Sequence, residues 1–257
     1  MIILFTSNNI ASKKIAENLI LKHGFQKLGD REWQKEEVKL IDTDLPTVLD
    51  VPPAIDTDCI IMLSTHKSKV PGKMLTAHIP GNWSDAGLGG EPETLNIAAT
   101  ARLKKIAIAM KNEAEKIGWP FCLEADHHGP TIAVPIIFVE IGNDEEQWKD
   151  EKAAEAVANA VSSSLGPLEE YRTVVGFGGG HYQKKFTELI GRTDMAIGHM
   201  APKYVIDGLD EKMFKQALDR NIEPVHEVVV LKDETNTMHK KKIKELADKF
   251  AVRYTEI

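Results

Sequence analysis

Short apolar runs alternate with stretches of helical periodicity along the whole chain. "IILFT" is a brief apolar run closed by "SNN", and "IASKKIAENLILKHG" then puts Ile10, Ile15, Leu19 and Ile20 at helical spacing and stops at Gly24. The pattern predicts strand, turn, helix. "VKLID" and "DCIIMLS" are apolar and bounded by turn residues, hence strands, with the proline-containing "DLPTVLDVPP" as the loop between them. "KMLTAHI" is a further strand, and "PGNWSDAGLGGEPE" begins a long loop insertion around 79–93. Loops of that length are more often functional than not. From Thr94 to Gly118 apolar residues fall at 95, 98, 99, 103, 106, 110 and 114, which predicts a helix with Thr94 as its cap. "FCLEA" and "IAVPIIFVEIG" read as strands, Pro135 placing the second at an edge or bulge. Residues 148–164 form a helix, "RTVVGFGGGHYQKKFTELIGR" a strand, glycine turn and helix, and "MAIGHMAP" a strand closed by His199. The helix "LDEKMFKQALDR", the strand "HEVVVLK" and the helix "TNTMHKKKIKELADKF" complete the chain. The expected architecture is α/β, a mostly parallel sheet with flanking helices, in a single domain over 1–257.

Composition narrows the class. With 257 residues and 42% hydrophobic content the chain can bury a sizeable core. Cys59 and Cys122 lie in apolar runs, which fits buried thiols and argues against a cysteine-based zinc site. No run approaches the roughly 18 apolar residues of a membrane span. The start lacks a basic segment and a small-residue cleavage site, so a cytoplasmic location is expected. A net charge of −7 excludes an overall basic surface. Local clusters such as "HKKKIK" at 239–244 remain, and most read as solvated helix faces.

The chemistry concentrates in "LEADHHGP", residues 123–130, where two carboxylates and two imidazoles fall within five positions. In open α/β sheets ligands bind beyond the carboxyl ends of the strands. Six of the nine histidines, His66, His78, His127, His128, His181 and His199, occupy such positions, which implies one polar site above the sheet. Two uses compete. Imidazole and carboxylate are zinc's ligands when thiolates are absent; alternatively the histidines act directly as general bases and phosphate partners. Glu124 and His128 are the strongest candidates, whereas Asp126 could accept a metal, orient an imidazole or simply shape the turn, and His66 and His78 could be packed histidines satisfied by backbone. In "GFGGGHY", residues 176–182, four glycines could let amide groups approach an anion or simply form a tight turn. His181 and Tyr182 beside those amides favour a functional role.

"STHKS", "TAHIPGNWSDAGLGGEP", "EADHHGPT", "GFGGGHYQKKFTEL" and "GHMAPKY" occur in an order and spacing that resemble the archaeal and plant type of D-aminoacyl-tRNA deacylase. The likeness runs from Ile2 to the last helix. It implies a zinc-dependent hydrolase that cuts the ester between a D-amino acid and tRNA, on a sheet similar to phosphorylases and peptidyl-tRNA hydrolases. Carried onto this sequence, the catalytic candidates are Glu124, His128, His181 and Tyr182. The zinc candidates are His66, His128, His199 and Glu124, and Gly178, Gly179, Gly180, Lys67 and Lys184 would meet substrate. The partner would be tRNA bearing a D-amino acid, with neither membrane nor DNA, and a monomer is slightly favoured. A nucleoside phosphorylase-like or peptidyl-tRNA hydrolase-like enzyme, or a non-catalytic metal- or tRNA-binding module, stays open beside this reading.

Overall fold

A computed structural model describes residues 1–50, 55–69 and 72–257. In chain order the elements begin with β1 (Ile2–Phe5), α1 (Ile10–Lys22), β2 (Gln26–Gly29), β3 (Glu32–Lys35), β4 (Val38–Asp42), β5 (Ile60–Thr65) and β6 (Met74–His78). They continue with β7 (Gly81–Asn82), β8 (Thr94–Leu95), α2 (Thr100–Ile117), β9 (Phe121–Leu123), β10 (Ile136–Gly142), α3 (Glu145–Trp148) and α4 (Glu151–Ser164). The last are β11 (Arg172–Phe177), α5 (Lys184–Ile190), β12 (Met195–Ala201), α6 (Lys203–Ile206), α7 (Glu211–Asp219), β13 (Glu227–Val230), α8 (Thr237–Lys249) and β14 (Arg253–Glu256). Residues 51–53 of the proline-containing loop lie outside the described residues. Among those described, no helix is long and apolar enough to cross a membrane.

The chain divides into two compact units, each built from three segments. The first comprises Met1–Ala77, Lys105–Cys122 and Ile136–Pro167. Its sheet has the order β2-β3-β4-β1-β5-β10-β6-β9, with β4, β1, β5 and β10 parallel and β2-β3-β4 antiparallel at one edge. Ile60–Leu63 and Ile136–Val139 are buried at every position, the near-continuous apolar run expected of parallel strands covered on both faces. β10 lies between β5 and β6, so it is a central strand. Pro135 stands just before it, where its missing N–H removes no ladder bond, and the expected edge or bulge is corrected. The β2–β3 hairpin had no sequence signal because neither strand has a fully buried face.

The second unit comprises His78–Lys104, Leu123–Pro135 and Leu168–Ile257. Its main sheet is parallel throughout, in the order β12-β11-β13-β14. Phe177 from β11 stacks on Phe214 from α7 with centroids 5.7 Å apart, and both are fully buried. Burial of each such ring contributes about 1.5–3 kcal/mol. Helix α2 begins at Thr100, six residues later than the periodicity implied, because Thr94 and Leu95 pair with Asn82 and Gly81 as a small hairpin. Thr94 Oγ1 donates to the Pro92 carbonyl and caps nothing. The start of α2 is satisfied instead by Glu223, whose carboxylate accepts from the Thr100 and Ala101 N–H groups at 3.0 and 3.1 Å. A cap so distant in sequence leaves no local signature.

Candidate active site

The described site lies within the second unit, and the segment 123–130 is its spine. After β9, the Ala125 N–H donates to the His181 carbonyl at 2.8 Å, and the Gln183 N–H donates to the Leu123 carbonyl at 2.8 Å. Glu124 and Tyr182 form an antiparallel bridge. These bonds hold the glycine turn after β11 against the acidic segment. The turn is stapled by Gln183, whose Nε2 donates to the Gly178 and Gly180 carbonyls at 3.2 and 2.7 Å. Gly178 and Gly179 have φ of 115° and 74°, a region glycine enters without penalty. The Gly178 N–H already donates to Ala201, so that amide is not available to an anion. The turn's demonstrable work is to deliver His181 and Tyr182.

On the other side, Gly129 must be glycine because a Cβ there would lie 2.4 Å from the Gly90 nitrogen. The loop that touches it is itself folded by Asn82, whose Nδ2 donates to the Gly89 and Glu91 carbonyls. The end of "HHGP" is thus a packing requirement of the 79–93 loop. His128, just before it, has φ of 49°, a left-handed conformation uncommon for a non-glycine residue and one that concentrates at functional sites.

Five side chains converge. Glu124 is fully buried, with Oε1 2.8 Å from His181 Nε2 and Oε2 3.5 Å from His78 Nδ1. His78 Nε2 is 3.1 Å from His128 Nε2, and the His127 ring packs 4.2 Å from His78 and 4.5 Å from His181 between centroids. The tautomers follow from the partners. His127 Nδ1 faces the Ala125 carbonyl at 2.9 Å and His128 Nδ1 faces the Gly129 carbonyl; carbonyls only accept, so both Nδ1 atoms carry hydrogen. The lone pairs of these two rings are therefore on Nε2. Burial first, and then the imidazoles of His78 and His128, hold His127 well below the ordinary histidine range, which keeps it neutral at pH 7.

The donor set fits a metal ion. Ligand atoms of His78, His127 and His128 lie within 4.8 Å of one another, as do those of Glu124, His127 and His181. Backbone carbonyls behind His127 and His128 are the outer contacts that orient metal-bound imidazoles.

The sequence-selected residues separate accordingly. The structure brings together Glu124, His128, His181 and Tyr182, and adds His78 and His127. His199 is corrected as a metal ligand. It sits inside β12 and not at its end, fully buried, with Nδ1 2.6 Å from Asp126 Oδ2 and Nε2 2.8 Å from the Arg220 carbonyl. Both nitrogens face acceptors, so neither offers a lone pair. Asp126 accepts in addition from the Met200 N–H at 2.9 Å, so it clamps the segment to β12 and is more than a turn residue. His66 and Lys67 belong to the first unit, where His66 Nδ1 lies 3.4 Å from Glu140 Oε2. Lys67 and Lys184 are exposed.

The D-aminoacyl-tRNA deacylase family matches residues 54–255. D-aminoacyl-tRNA deacylase of Thermococcus kodakarensis is 34% identical, over 97% of this chain and 98% of that protein. That of Pyrococcus furiosus is 31% identical over 98% of each. That of Methanosarcina barkeri is 41% identical, over 63% of this chain and 54% of its own length. A crystal structure titled a conserved protein of unknown function superposes with a TM-score of 0.90 at 26% identity, over 99% of this chain and 94% of that one. The α/β fold with a mostly parallel sheet and flanking helices is therefore shared. The chain belongs to the D-aminoacyl-tRNA deacylase family.

Proposed function

We propose that this protein hydrolyses the ester bond of D-aminoacyl-tRNA, releasing the D-amino acid and tRNA, and that it does so with zinc held by the histidine cluster. Family membership supports the reaction class. The observation that carries the site assignment is the Glu124–His181 contact at 2.8 Å beside the three-histidine group of His78, His127 and His128.

An aminoacyl ester is already activated, so its hydrolysis needs a positioned water, a proton acceptor and donors for the oxyanion. Glu124 Oε1 lies 2.8 Å from His181 Nε2, close enough for the carboxylate to orient the ring and to offset charge on it. His181 takes the proton of the attacking water, and the buried Glu124 carboxylate balances the imidazolium that results. His78, His127 and His128 are the residues that hold zinc, in the neutral form that ligation requires. Zinc, when bound there, lowers the pKa of its water to about 7. Tyr182 stands beside His181, with ring centroids 5.2 Å apart, and its phenol can donate to the oxyanion. The exposed Lys184 meets a phosphate of the acceptor end. Rejection of the L-substrate rests on the shape of the pocket at the α-carbon. This reading places the protein with tRNA in the cytoplasm.

The test is release of D-tyrosine from D-tyrosyl-tRNA by purified protein, with L-tyrosyl-tRNA as the control, before and after dialysis against a chelator. D-selective release that stops on metal removal and returns with zinc is expected. Equal rates on both hands would end the chiral assignment, and chelator-resistant activity would end the zinc assignment alone.

A further inference from the structure

Beside the histidine cluster, and within the same unit, is a cavity of about 180 Å³ lined in part by Trp83, Asp85, Leu88, His127, His128 and Tyr204. Cavities that enclose a whole ligand usually run to several hundred Å³, so this one takes part of a larger molecule. Three observations describe which part.

Leu88 and Tyr204 are 66% and 63% exposed, an aliphatic and an aromatic surface that the fold leaves uncovered. An uncovered ring of this kind is a stacking platform for a planar group. Trp83 is 93% buried by contrast, since only 7% of it is accessible, and its Nε1–H is a buried donor that meets no acceptor among the described residues. A donor left in that state is an unsatisfied cost that a ligand acceptor would remove. Asp85, on the exposed loop, supplies a carboxylate with no ion pair or hydrogen bond of its own among the described residues. A ligand for this cavity is therefore planar and carries both a hydrogen-bond acceptor and a donor. An aliphatic side chain offers neither, and a phenol offers both only through one atom; an adenine ring offers ring nitrogens and an exocyclic amino group at separate points of one plane. Lys203, next to Tyr204, is exposed and makes no ion pair among the described residues, which suits a phosphate attached to that base.

We propose that this cavity is the subsite for the 3′-terminal adenosine of the tRNA. The base stacks on Tyr204 and Leu88, a ring nitrogen accepts from Trp83 Nε1, the exocyclic amino group donates to Asp85, and Lys203 meets the 5′-phosphate. The proposal rests on the deacylase reading, since it is the ester at His127 and His128 that brings this nucleoside to the cavity.

The experiment has a binding arm and a hydrolysis arm. In the first, AMP, IMP and inorganic phosphate are titrated into the full-length protein by calorimetry. AMP is expected to bind about tenfold more tightly than IMP, which lacks the amino group, and more tightly than phosphate. The exposed Tyr204→Ala change should weaken AMP about tenfold, the scale of one base–aromatic stack. Asp85→Ala should bring AMP down to the affinity of IMP. In the second arm, kcat/KM is compared for 3′-O-(D-tyrosyl)adenosine and D-tyrosine ethyl ester. Wild type should prefer the adenosine ester, and Tyr204→Ala should reduce that preference about tenfold through KM. Absence of AMP binding, AMP and IMP bound equally by wild type, or a preference that Tyr204→Ala does not move would overturn the proposal, the last reassigning the cavity to the amino-acid side chain. Tyr204-dependent AMP binding in a protein that cleaves neither ester would uphold the subsite and remove the hydrolase reading instead.

Discussion

Glu124 and Asp126 are two residues apart, both are buried, and both meet histidines, yet they do opposite things. Asp126 is saturated: its oxygens take the His199 ring and the Met200 amide, and His199 spends its second nitrogen on a backbone carbonyl. The Glu124 side faces outward in chemical terms. Its oxygens meet the rings of His181 and His78, and the neighbouring His127 and His128 keep Nε2 lone pairs directed into the cluster by carbonyls behind them. In the Asp126 pair every polar atom is spent on the fold, whereas Glu124 and His181 stand with His127 among atoms that could hold a metal. Proximity alone does not distinguish the two.

This contrast can be broken most forcefully at Glu124. Glu124→Gln should lower kcat of deacylation about 10²- to 10⁴-fold, the range for removing an acid–base partner, while the urea midpoint stays close to wild type. A large loss of stability with normal turnover would invert the comparison. At the saturated pair the effects should trade places: Asp126→Ala leaves the buried His199 ring and the Met200 amide without their acceptor and should cost about 1–3 kcal/mol for each in urea unfolding. Turnover per folded molecule should fall far less than for Glu124→Gln. Between these extremes, Gln183→Ala removes the two bonds that staple the glycine turn and should cost about 1–3 kcal/mol. Its rate loss should exceed its loss of zinc affinity, because His181 is displaced while His127 and His128 are not.

The smallest effect belongs to a histidine outside both pairs. Burial is the main cause holding His23 below its ordinary value near 6.5, against the opposing Asn159 bond. As pH falls through about 6.5 the unfolded chain takes up a proton that the folded ring refuses, so stability declines with acid. His23→Gln should flatten the slope of stability between pH 7 and pH 5 slightly; a steeper slope would show the sign to be wrong.

The comparison also explains what could be read from the sequence. The parallel strands were legible because β5 and β10 are apolar at nearly every position, and α4 because its alanines repeat at helical spacing. The hairpin β2–β3 and the strand β14 were not, since their residues are half-buried or exposed and carry no alternation. The rule that sites lie at strand exits pointed to the segment on which the histidine–carboxylate cluster is built and selected three of its members, Glu124, His128 and His181. It could not rank His78 and His127 above His199, because that ranking depends on hydrogen bonds to Gly129, Ala125 and Arg220 carbonyls, and a backbone acceptor has no sequence signature. The cap on α2 from Glu223 was hidden for another reason, because that side chain lies more than a hundred residues further along the chain.

The three-segment construction of each unit bears on the order in which the protein can come into being. A ribosome that adds about 5–20 residues per second has delivered every part of the first unit once Pro167 has emerged, whereas the second still awaits its last ninety or so positions. His78 and the 124–128 segment are already synthesised by then, but β11, β12 and the Gln183 staple are not. For several seconds of every round of translation the nascent chain carries His78, Glu124, His127 and His128 but neither His181 nor the sheet behind it, so the cluster is completed only in this late stretch of synthesis.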